Sequence, residues 1–419
     1  MTEGGPLKGC RVLELGSIIA GPFCGRLLAD FGAEVIKIEP LDGDGLRLIG
    51  KRYKGKSLYA ASLLRNKNLI SVDLRTARGQ DLVRKMVPKC DVVIENFTPG
   101  NLEKWGLGYE HLSSLNPSLV MVRISGFGQT GPFSARPGFG VVAEAMSGLR
   151  HITGDPDRPP ARVSVAMTDY VAGLYGAFGA MMALYHRTST GRGQYIDAAL
   201  YECAFSFMEP FVPAYEKLGF IASRTGSALA DSAPNNLYPT SDGGFVHITA
   251  NQDGVFKRLA AAIGRPDLPA NGLFGTVADR AKNAAALDGL ISAWTRLHMA
   301  AAAEEKLAAA RVPVSRIYTM ADIFESEHYR SREMLARVPD DELGEVTLAA
   351  PVPKLSRTPG VIRRSGGRVG RDTRAVLQRV AGVSAAELDV LERDRVIFCG
   401  PGGAVSNANS SGAAAVPAE

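Results

Sequence analysis

The chain has 419 residues, of which 46% are hydrophobic and 22% are charged, and this balance excludes a disordered or fibrous protein. Its length exceeds that of one ordinary hydrophobic core and predicts two domains or one elaborated α/β domain. The net charge of +5 is spread over Lys and Arg residues that stand among acids, so the composition does not indicate a nucleic-acid-binding protein.

Strands and helices alternate in the N-terminal part of the chain. The apolar run 10–15 predicts a buried strand, the spacing within 20–32 predicts a helix, and 34–38 returns to a strand. The same alternation predicts these later elements: strands at 69–73, 91–96 and 119–124, and helices at 77–88 and near 101–116. It is typical of a parallel sheet covered by helices on both faces, with a ligand at the carboxyl ends of the strands.

The turn after the first predicted strand gives evidence about a dinucleotide cofactor. It reads GSIIAGPFCG and lacks the G-x-G-x-x-G pattern that holds a dinucleotide pyrophosphate. A nicotinamide-dependent dehydrogenase is therefore disfavoured.

The most informative helix is predicted within residues 163–199. Thr168-Asp169 is expected to begin it, since short polar side chains accept the free N–H groups of a first turn. Gly173, Gly176 and Gly179 leave one flank small enough for another backbone to pack closely. An acid at this point is either a helix cap or a group held for chemistry, and the local pattern by itself favours the cap.

The second half of the chain has a different pattern. Two extended runs within 234–250 flank the turn 241–244 and predict a hairpin. Alanine-rich segments near 253–263, 278–297 and 299–310 predict helices of a smaller α+β unit. Residues 311–360 are extended and proline-punctuated, as in a connector, and 372–395 predict two more helices.

Cysteine and histidine usage indicates neither a disulfide framework nor a metal site. The five cysteines form no C-x-x-C pair and predict reduced thiols in a cytoplasmic protein. The six histidines never stand at i, i+4, so no metal is expected. The longest apolar stretch, 170–185, is short for a membrane span, and the N-terminus lacks the pattern of a secretory signal, so no membrane partner is expected.

Several segments together resemble class III CoA-transferases, the family of formyl-CoA transferase and of carnitine-type and bile-acid-type CoA-transferases. They occur in the family's order over roughly residues 7–377. The segments are LKGCRVLELGSIIAGPFCGRLLADFGAEVIKIEP, NKNLISVDL, DVVIENFTPGNLEKWGLGYEHL, NPSLVMVRISGFGQTGP, HRTSTGRGQ and PVPKLSRTPG. Each segment by itself is weak evidence for the family, whereas the whole set in this order is specific to it.

The resemblance implies a mechanism and a catalytic residue. Asp169 stands where the family carries its nucleophilic aspartate, which attacks the thioester of an acyl-CoA and passes through an aspartyl anhydride and an aspartyl-CoA thioester. CoA is then a substrate and product, with no tightly bound cofactor. The family also implies an interlocked homodimer.

The resemblance further implies a CoA site at the carboxyl ends of the strands. The corresponding positions are Ile19, Ala20, Val72, Asp73, Leu74, Arg75, Asn96, Phe97, Thr98, Lys104 and Arg136. Arg75, Lys104 and Arg136 have the charge to meet phosphates. Without the resemblance, each of these three would be an ordinary surface cation.

Some positions depart from the formyl-CoA transferase pattern. Ile19 replaces a glutamine near the thioester, Pro40 replaces an arginine that contacts CoA, and Gly140 replaces an acidic residue beside the reaction centre. Residues 228–233 replace a glycine-rich lid and are not glycine-rich. These differences disfavour a very small acid such as oxalate, and we expect a dicarboxylate such as succinate, citramalate or malate, with a succinyl-CoA type donor.

Two alternatives stay open on this sequence. An α-methylacyl-CoA racemase moves a proton at the α-carbon and needs a second acid/base, which racemases take from a histidine after the GQTGP motif. This chain has Gly138-Phe139-Gly140 there, with His151 a little downstream. A non-catalytic CoA- or nucleotide-binding protein would fit the sheet pattern but would give Asp169 no role.

These observations predict an α/β fold. We expect a large Rossmann-like parallel-sheet domain built from both chain ends and a smaller central α+β domain. The expected division is a first part of the large CoA-binding domain at 1–200, a linker at 201–225, the small domain at 226–312, a linker at 313–348, the second part of the large domain at 349–400 and a disordered tail at 401–419.

Overall fold

The computed structural model describes residues 4–400. The predicted disordered tail, 401–419, lies outside the described residues. The strands are β1 (Arg11–Glu14), β2 (Glu34–Glu39), β3 (Arg52–Tyr53), β4 (Lys56–Ser57), β5 (Asn68–Val72), β6 (Val92–Glu95), β7 (Val120–Ser125), β8 (Tyr195–Ala199), β9 (Asn235–Pro239), β10 (Phe245–Thr249), β11 (Val314–Arg316), β12 (Leu335–Asp340), β13 (Gly344–Ala349) and β14 (Ile397–Phe398).

Helices connect and cover these strands. They are α1 (Ala20–Asp30), α2 (Leu58–Leu63), α3 (Ala77–Met86), α4 (Asn101–Lys104), α5 (Tyr109–Leu115), α6 (Gly140–Met146), α7 (Leu149–Ile152), α8 (Met167–Thr190), α9 (Leu200–Phe205), α10 (Phe211–Leu218), α11 (Asp253–Ala262), α12 (Val277–Lys282), α13 (Ala284–Thr295), α14 (Ala300–Ala309), α15 (Met320–Glu325), α16 (Glu327–Ser331), α17 (Thr373–Val376) and α18 (Ala385–Arg393). Within residues 4–400, no helix combines the length and the apolar character needed to cross a membrane.

The largest sheet has the order β14-β5-β2-β1-β6-β7-β8. All neighbours pair in parallel except β14, which runs antiparallel to β5. Successive residues of β1 enter different apolar clusters, with Val12 in one and Leu13 in the other, because both faces of the sheet are covered. This confirms the predicted α/β class with a parallel-dominated sheet.

The strand order reverses beside β1. The chain runs from β1 outward to β2 and β5, and then returns to the other side of β1 with β6, β7 and β8. In open α/β sheets, such a reversal leaves a crevice at the carboxyl ends of the two strands, where ligands bind. The crevice between β1 and β6 is therefore where this fold offers a site.

The glycine stripe of α8 allows close packing, as predicted. A Cβ at Gly173 would lie 2.7 Å from the backbone oxygen of Ala20 in α1, and one at Gly176 would lie 3.0 Å from Val122 of β7. A Cβ at Gly179 would lie 2.9 Å from Ile196 of β8. These close approaches bring the first turns of α1 and α8 together, because Asp169 precedes Gly173 by about one turn.

The chain folds into two compact units. Of the described residues, 4–147, Ser164–Phe207 and 333–400 form the first unit. The second unit consists of Gly148–Val163 and Met208–Arg332. The second unit contains the three-stranded sheet β11-β10-β9 with a core that includes Tyr238 and Phe256. The exact domain and linker boundaries predicted from the sequence stay a prediction.

Several predicted elements need correction. The segment 311–360 is not an extended connector, since it contains β11, α15, α16 and the hairpin of β12 and β13. Local hydrogen bonds explain the short helix α15, because Thr319 and Asp322 form a reciprocal cap at its start. Residues 201–225 contain most of α9 and all of α10, and their assignment as a linker between domains stays a prediction. The helix predicted at 278–297 is divided in two at Asn283.

Four buried charges lie under the carboxyl end of β1. The ammonium of Lys67 lies 2.7 Å from the carboxylate of Glu14, and that of Lys37 lies 2.8 Å from the carboxylate of Asp44. Lys37 also lies 3.9 Å from Glu14, which joins the two pairs. The glycine at position 25 makes room for this cluster, because a Cβ there would overlap the Glu14 carboxylate. We call these four residues the buried ion cluster.

We predict that Lys67→Met destabilises the fold by about 3 kcal/mol, because the buried carboxyl group of Glu14 would lose its nearest cationic partner. Chemical denaturation measures this loss. The control is Arg78→Met, which breaks an exposed pair with Asp394 and should cost less than about 1 kcal/mol. Equal losses in the two variants would contradict the assigned role of the cluster.

Candidate active site

Asp169 is the third residue of α8, and it does not cap the helix. The helix begins at Met167, and its N-cap residue is Ala166, which has no capping side-chain hydrogen bond. The capping interpretation of Asp169 is therefore wrong. Within residues 4–400, the Asp169 carboxylate has no ion pair, and its hydrogen bonding is to its own backbone amide.

Burial raises the pKa of Asp169 to about 6. A position in the first turn of a helix favours a negative charge, and the hydrogen bond from the residue's own amide lowers the pKa. The loss of water around the carboxylate outweighs both effects. The side chain thus changes from the neutral acid to the carboxylate as pH rises through about 6.

Gly140 leaves space that the Asp169 carboxylate occupies. It is the first residue of α6 and is buried. A Cβ at this position would lie 2.0 Å from Oδ2 of Asp169 and 2.6 Å from Oγ1 of Thr168. No side chain at position 140 is therefore compatible with this position of the carboxylate.

The loop between β1 and α1 is held in a strained conformation. Ile18 has a φ of +67°, which is rare for a β-branched residue. Its backbone amide donates to Oδ1 of Asp44 at 3.0 Å, and Lys37 donates to the backbone oxygen of Gly16. The side chain of Asn96 accepts from the amide of Ser17 at 2.7 Å and donates to its carbonyl at 2.9 Å. The loop is thus fixed by side chains from β2, from the β2–α2 connection and from Asn96, which directly follows β6.

Two tyrosines lie beside Asp169. The hydroxyl groups of Tyr59 and Tyr170 are 2.7 Å apart, and the ring of Phe23 packs edge-on against Tyr170. Burial raises the pKa of Tyr59, and the hydrogen bond to Tyr170 and the nearby Asp169 charge raise it further. Tyr59 therefore stays neutral and keeps a proton to donate. The sequence contains no local pattern that relates Tyr59 to Asp169.

A pocket of about 690 Å³ lies at the carboxyl ends of β1, β2, β5 and β6. Its walls include Leu15 and Ser17 after β1, Pro40 after β2, and Phe97 after β6. The rings of Phe97 and Trp105 meet edge to face, with centroids 5.5 Å apart. This is the crevice that the strand order predicts, and it can take a large, partly aromatic ligand.

The structure brings part of the predicted CoA site together. The predicted CoA contacts that line the pocket are Val72, Asp73, Leu74, Arg75 and Phe97. Ile19 and Ala20 are buried at the start of α1, on the side that α8 approaches. The side chain of Asn96 is occupied by the backbone of Ser17 and so positions the loop.

The other three predicted residues do not line the pocket. Thr98 and Lys104 are exposed, and Arg136 stacks on the ring of Phe133 with its guanidinium carbon 3.5 Å from the centroid. Trp105, which sequence reasoning missed, lines the pocket directly after Lys104. The C-terminal residues that also line it were missed too, because nothing in the local sequence shows that β14 returns to β5.

We predict that the carboxyl carbon of Asp169 titrates with a midpoint near 6, because burial stabilises its neutral form. The measurement is ¹³C NMR of protein labelled at aspartate, with Asp169→Asn used to assign the resonance. A midpoint near the ordinary value of 3.8 would contradict the buried environment of this carboxylate.

Comparison with known proteins identifies the family of the chain. The model of CoA-transferase family III matches residues 7–373. The chain is 46% identical to succinyl-CoA--D-citramalate CoA-transferase of Chloroflexus aurantiacus, over 94% of this chain and 98% of that protein. It is 40% identical to the beta subunit of succinyl-CoA--L-malate CoA-transferase from the same organism, over 94% and 98%.

A solved structure shows the same fold. The crystal structure of a CaiB/BaiF family protein from Brucella suis superposes with a TM-score of 0.81 at 34% identity, covering 90% of this chain and all of that one. The family match over most of the chain and the two relatives agree with one another. The chain belongs to CoA-transferase family III.

Proposed function

We propose that this protein transfers CoA from succinyl-CoA to a dicarboxylic acid, with Asp169 as the nucleophile. The observation that carries the proposal is the state of Asp169: a half-buried carboxylate without a cationic partner in residues 4–400, held against the Cα of Gly140. A carboxylate that is neither paired nor capping is free to attack a thioester. Its pKa near 6 leaves it ionised at neutral pH.

The reaction exchanges one thioester for another, and it neither consumes water nor takes up or releases a net proton. An oxygen of Asp169 attacks the thioester carbonyl of succinyl-CoA, the C–S bond breaks, and CoA thiolate leaves a succinyl-aspartyl anhydride. The thiolate then attacks the aspartyl carbonyl and releases succinate, which leaves an aspartyl-CoA thioester. The acceptor carboxylate displaces the thiolate from this thioester and forms a second anhydride. Attack of the thiolate on the acceptor acyl carbonyl gives the new CoA ester and restores Asp169.

Neutral donors near Asp169 support this chemistry. When a carbonyl carbon is attacked, negative charge develops on the carbonyl oxygen, and preorganised hydrogen-bond donors stabilise it. The first turn of α8 supplies backbone N–H groups, and Tyr59 keeps its proton because its pKa is raised by burial and by its neighbours Tyr170 and Asp169. We propose that these groups face the reacting carbonyl.

CoA is proposed to occupy the 690 Å³ pocket at the β1/β6 crevice. Val72, Asp73, Leu74, Arg75 and Phe97 line it. Phe97 and Trp105 offer ring faces and edges for the adenine. In this arrangement the adenosine end of CoA lies at the carboxyl ends of the sheet strands. The remaining predicted contacts, Thr98, Lys104 and Arg136, stay predictions because they do not line the pocket.

The acceptor is proposed to be a dicarboxylate of the size of malate or citramalate. The relatives from Chloroflexus aurantiacus are named for citramalate and malate, with succinyl-CoA as donor. The absence of an acidic side chain at position 140 is consistent with an acceptor that itself carries two negative charges, since a further carboxylate beside Asp169 would repel it.

A racemase reaction is less well supported. It needs a second acid/base on the opposite side of the substrate α-carbon. Where racemases carry a histidine after GQTGP, this chain has Phe139, which cannot exchange a proton. The non-catalytic alternative leaves the unpaired carboxylate of Asp169 without a role.

We also propose that the protein acts as a homodimer. The outer face of α8 carries a stripe of large apolar side chains, namely Leu174, Phe178, Met181, Met182 and Tyr185, whose exposed fractions range from 40% to 80%. Such a stripe on one helix is costly to leave in water and is typical of an interface. A second copy of the chain is the occupant that the family resemblance implies. The cytoplasmic location stays a prediction.

We predict that Asp169→Asn abolishes CoA transfer while CoA binding is kept, because the amide is a poor nucleophile of nearly the same shape. Transfer from succinyl-CoA to malate or citramalate is measured by mass spectrometry of the acyl-CoA products. Intact wild-type protein incubated with succinyl-CoA should gain the mass of a succinyl or CoA group on Asp169.

The control for this experiment is Asp157→Asn, which removes an exposed carboxylate in the second unit. It should leave transfer unchanged. Turnover by Asp169→Asn at the wild-type rate, or products without any covalent adduct, would contradict the proposal.

We predict that Gly140→Ala lowers the transfer rate about 100-fold, since the new Cβ would displace the Asp169 carboxylate by about 1 Å or more. The matched control is Gly289→Ala, because Gly289 lies in α13 with open space around its Cα. Rates and thermal midpoints are compared for both variants. A Gly140→Ala enzyme with full activity would refute the close approach of these two residues.

A further inference from the structure

Helix α18 ends in a left-handed turn that carries an arginine. Arg395 has a φ of +56°. Its amide donates to the backbone oxygen of Glu392 at 3.0 Å, and the amide of Val396 donates to that of Leu391 at 2.9 Å, which closes the turn. Glycine is the usual residue here, because a Cβ disfavours this backbone conformation. Strain of this kind concentrates at binding and catalytic sites.

The strained arginine lines the pocket to which CoA is assigned. Arg395, Ile397 and Phe398 contribute to the wall of the 690 Å³ pocket, because β14 pairs with β5 at the edge of the sheet. Arg395 is exposed, and its guanidinium makes neither a hydrogen bond nor an ion pair within residues 4–400. A cation at the pocket wall is therefore free to bind an anion.

Arg75, the cation that the resemblance places in this pocket, is already engaged. Its guanidinium donates to both carboxylate oxygens of Asp73, at 2.8 and 3.0 Å. Asp42, which also lines the pocket, adds a second negative charge near it. An anionic ligand would have to compete with Asp73 for Arg75.

The remaining charges of the pocket are also paired. The pairs are Lys37 with Asp44, Glu39 with Arg47 and Glu392 with Arg374. Among the cations that line the pocket, Arg395 is thus the one whose guanidinium or ammonium has no carboxylate partner within the described part of the chain.

We infer that Arg395 binds a phosphate group of CoA. This inference rests on the proposed function, which places CoA in the same pocket. The planar guanidinium can donate two parallel hydrogen bonds to phosphate oxygens. The C-terminal turn is then part of the CoA site, and Arg395 is a specificity residue for the phosphorylated end of the substrate.

The deciding variant is Arg395→Gly, because glycine suits the left-handed turn and removes the guanidinium. We expect its thermal midpoint to equal or exceed that of the wild type. We expect its Kd for CoA, measured by titration calorimetry, to rise about 10- to 100-fold, which is the range for one charge-assisted hydrogen-bonded contact. In the transfer assay the KM for succinyl-CoA should rise while kcat stays near the wild-type value.

The matched control is Arg393→Ala. This variant also removes one positive charge, but the side chain of Arg393, two residues before Arg395, does not line the pocket. Its Kd for CoA should be unchanged. Titration with dephospho-CoA assigns the phosphate: an effect of Arg395→Gly that disappears with this ligand identifies the 3′-phosphate, and an effect that remains identifies the diphosphate. Both results support the inference.

An unchanged Kd for CoA in Arg395→Gly would overturn the inference and leave the proposed function intact. Equal weakening by Arg393→Ala would also overturn it, since only the overall charge would then matter. Absence of CoA binding by the wild type would remove the inference together with the proposed function.

Discussion

The buried ion cluster is the constraint on which the site depends. Replacement of buried ion pairs by apolar side chains often costs no stability, so stability alone does not explain the cluster. An apolar side chain could not donate to the backbone oxygen of Gly16, as Lys37 does, or accept from the amide of Ile18, as Asp44 does. These two bonds hold Ile18 in a backbone conformation that a β-branched residue otherwise avoids. The path of the chain into α1 follows from them.

The position of α1 in turn determines that of Asp169. Gly173 allows the backbone of Ala20 to approach α8, and this contact lies one turn from the carboxylate. Two effects then act on Asp169 in opposite directions. The helix start favours the anion by roughly 0.3–1 kcal/mol, whereas burial favours the neutral acid, and the raised pKa shows that burial dominates. Gly140 completes the arrangement because any side chain there would take the place of the carboxylate.

The sheet and its βαβ units could be predicted because their apolar runs are long and regular. The glycine stripe of α8 was interpreted correctly for the same reason, since its spacing matches a helix face. Capping of α8 by Asp169 was a wrong interpretation: the helix begins two residues earlier, at Met167, and local sequence does not determine that boundary. Contacts between distant segments could not be predicted. The proximity of Tyr59 to Tyr170 and of β14 to the pocket depends on packing that only the folded chain shows.

Strand β14 pairs with β5 through two residues only, Ile397 with Val72 and Phe398 with Ser71. So short an edge strand can detach at a smaller free-energy cost than the unfolding of the whole sheet. Because it also forms part of a pocket wall, any ligand that fills the pocket would bind the attached form in preference to the detached one. Occupancy of the pocket and attachment of β14 to the sheet are thus thermodynamically linked. The backbone of Ile397 and Phe398 would become more resistant to proteolysis as ligand concentration rises.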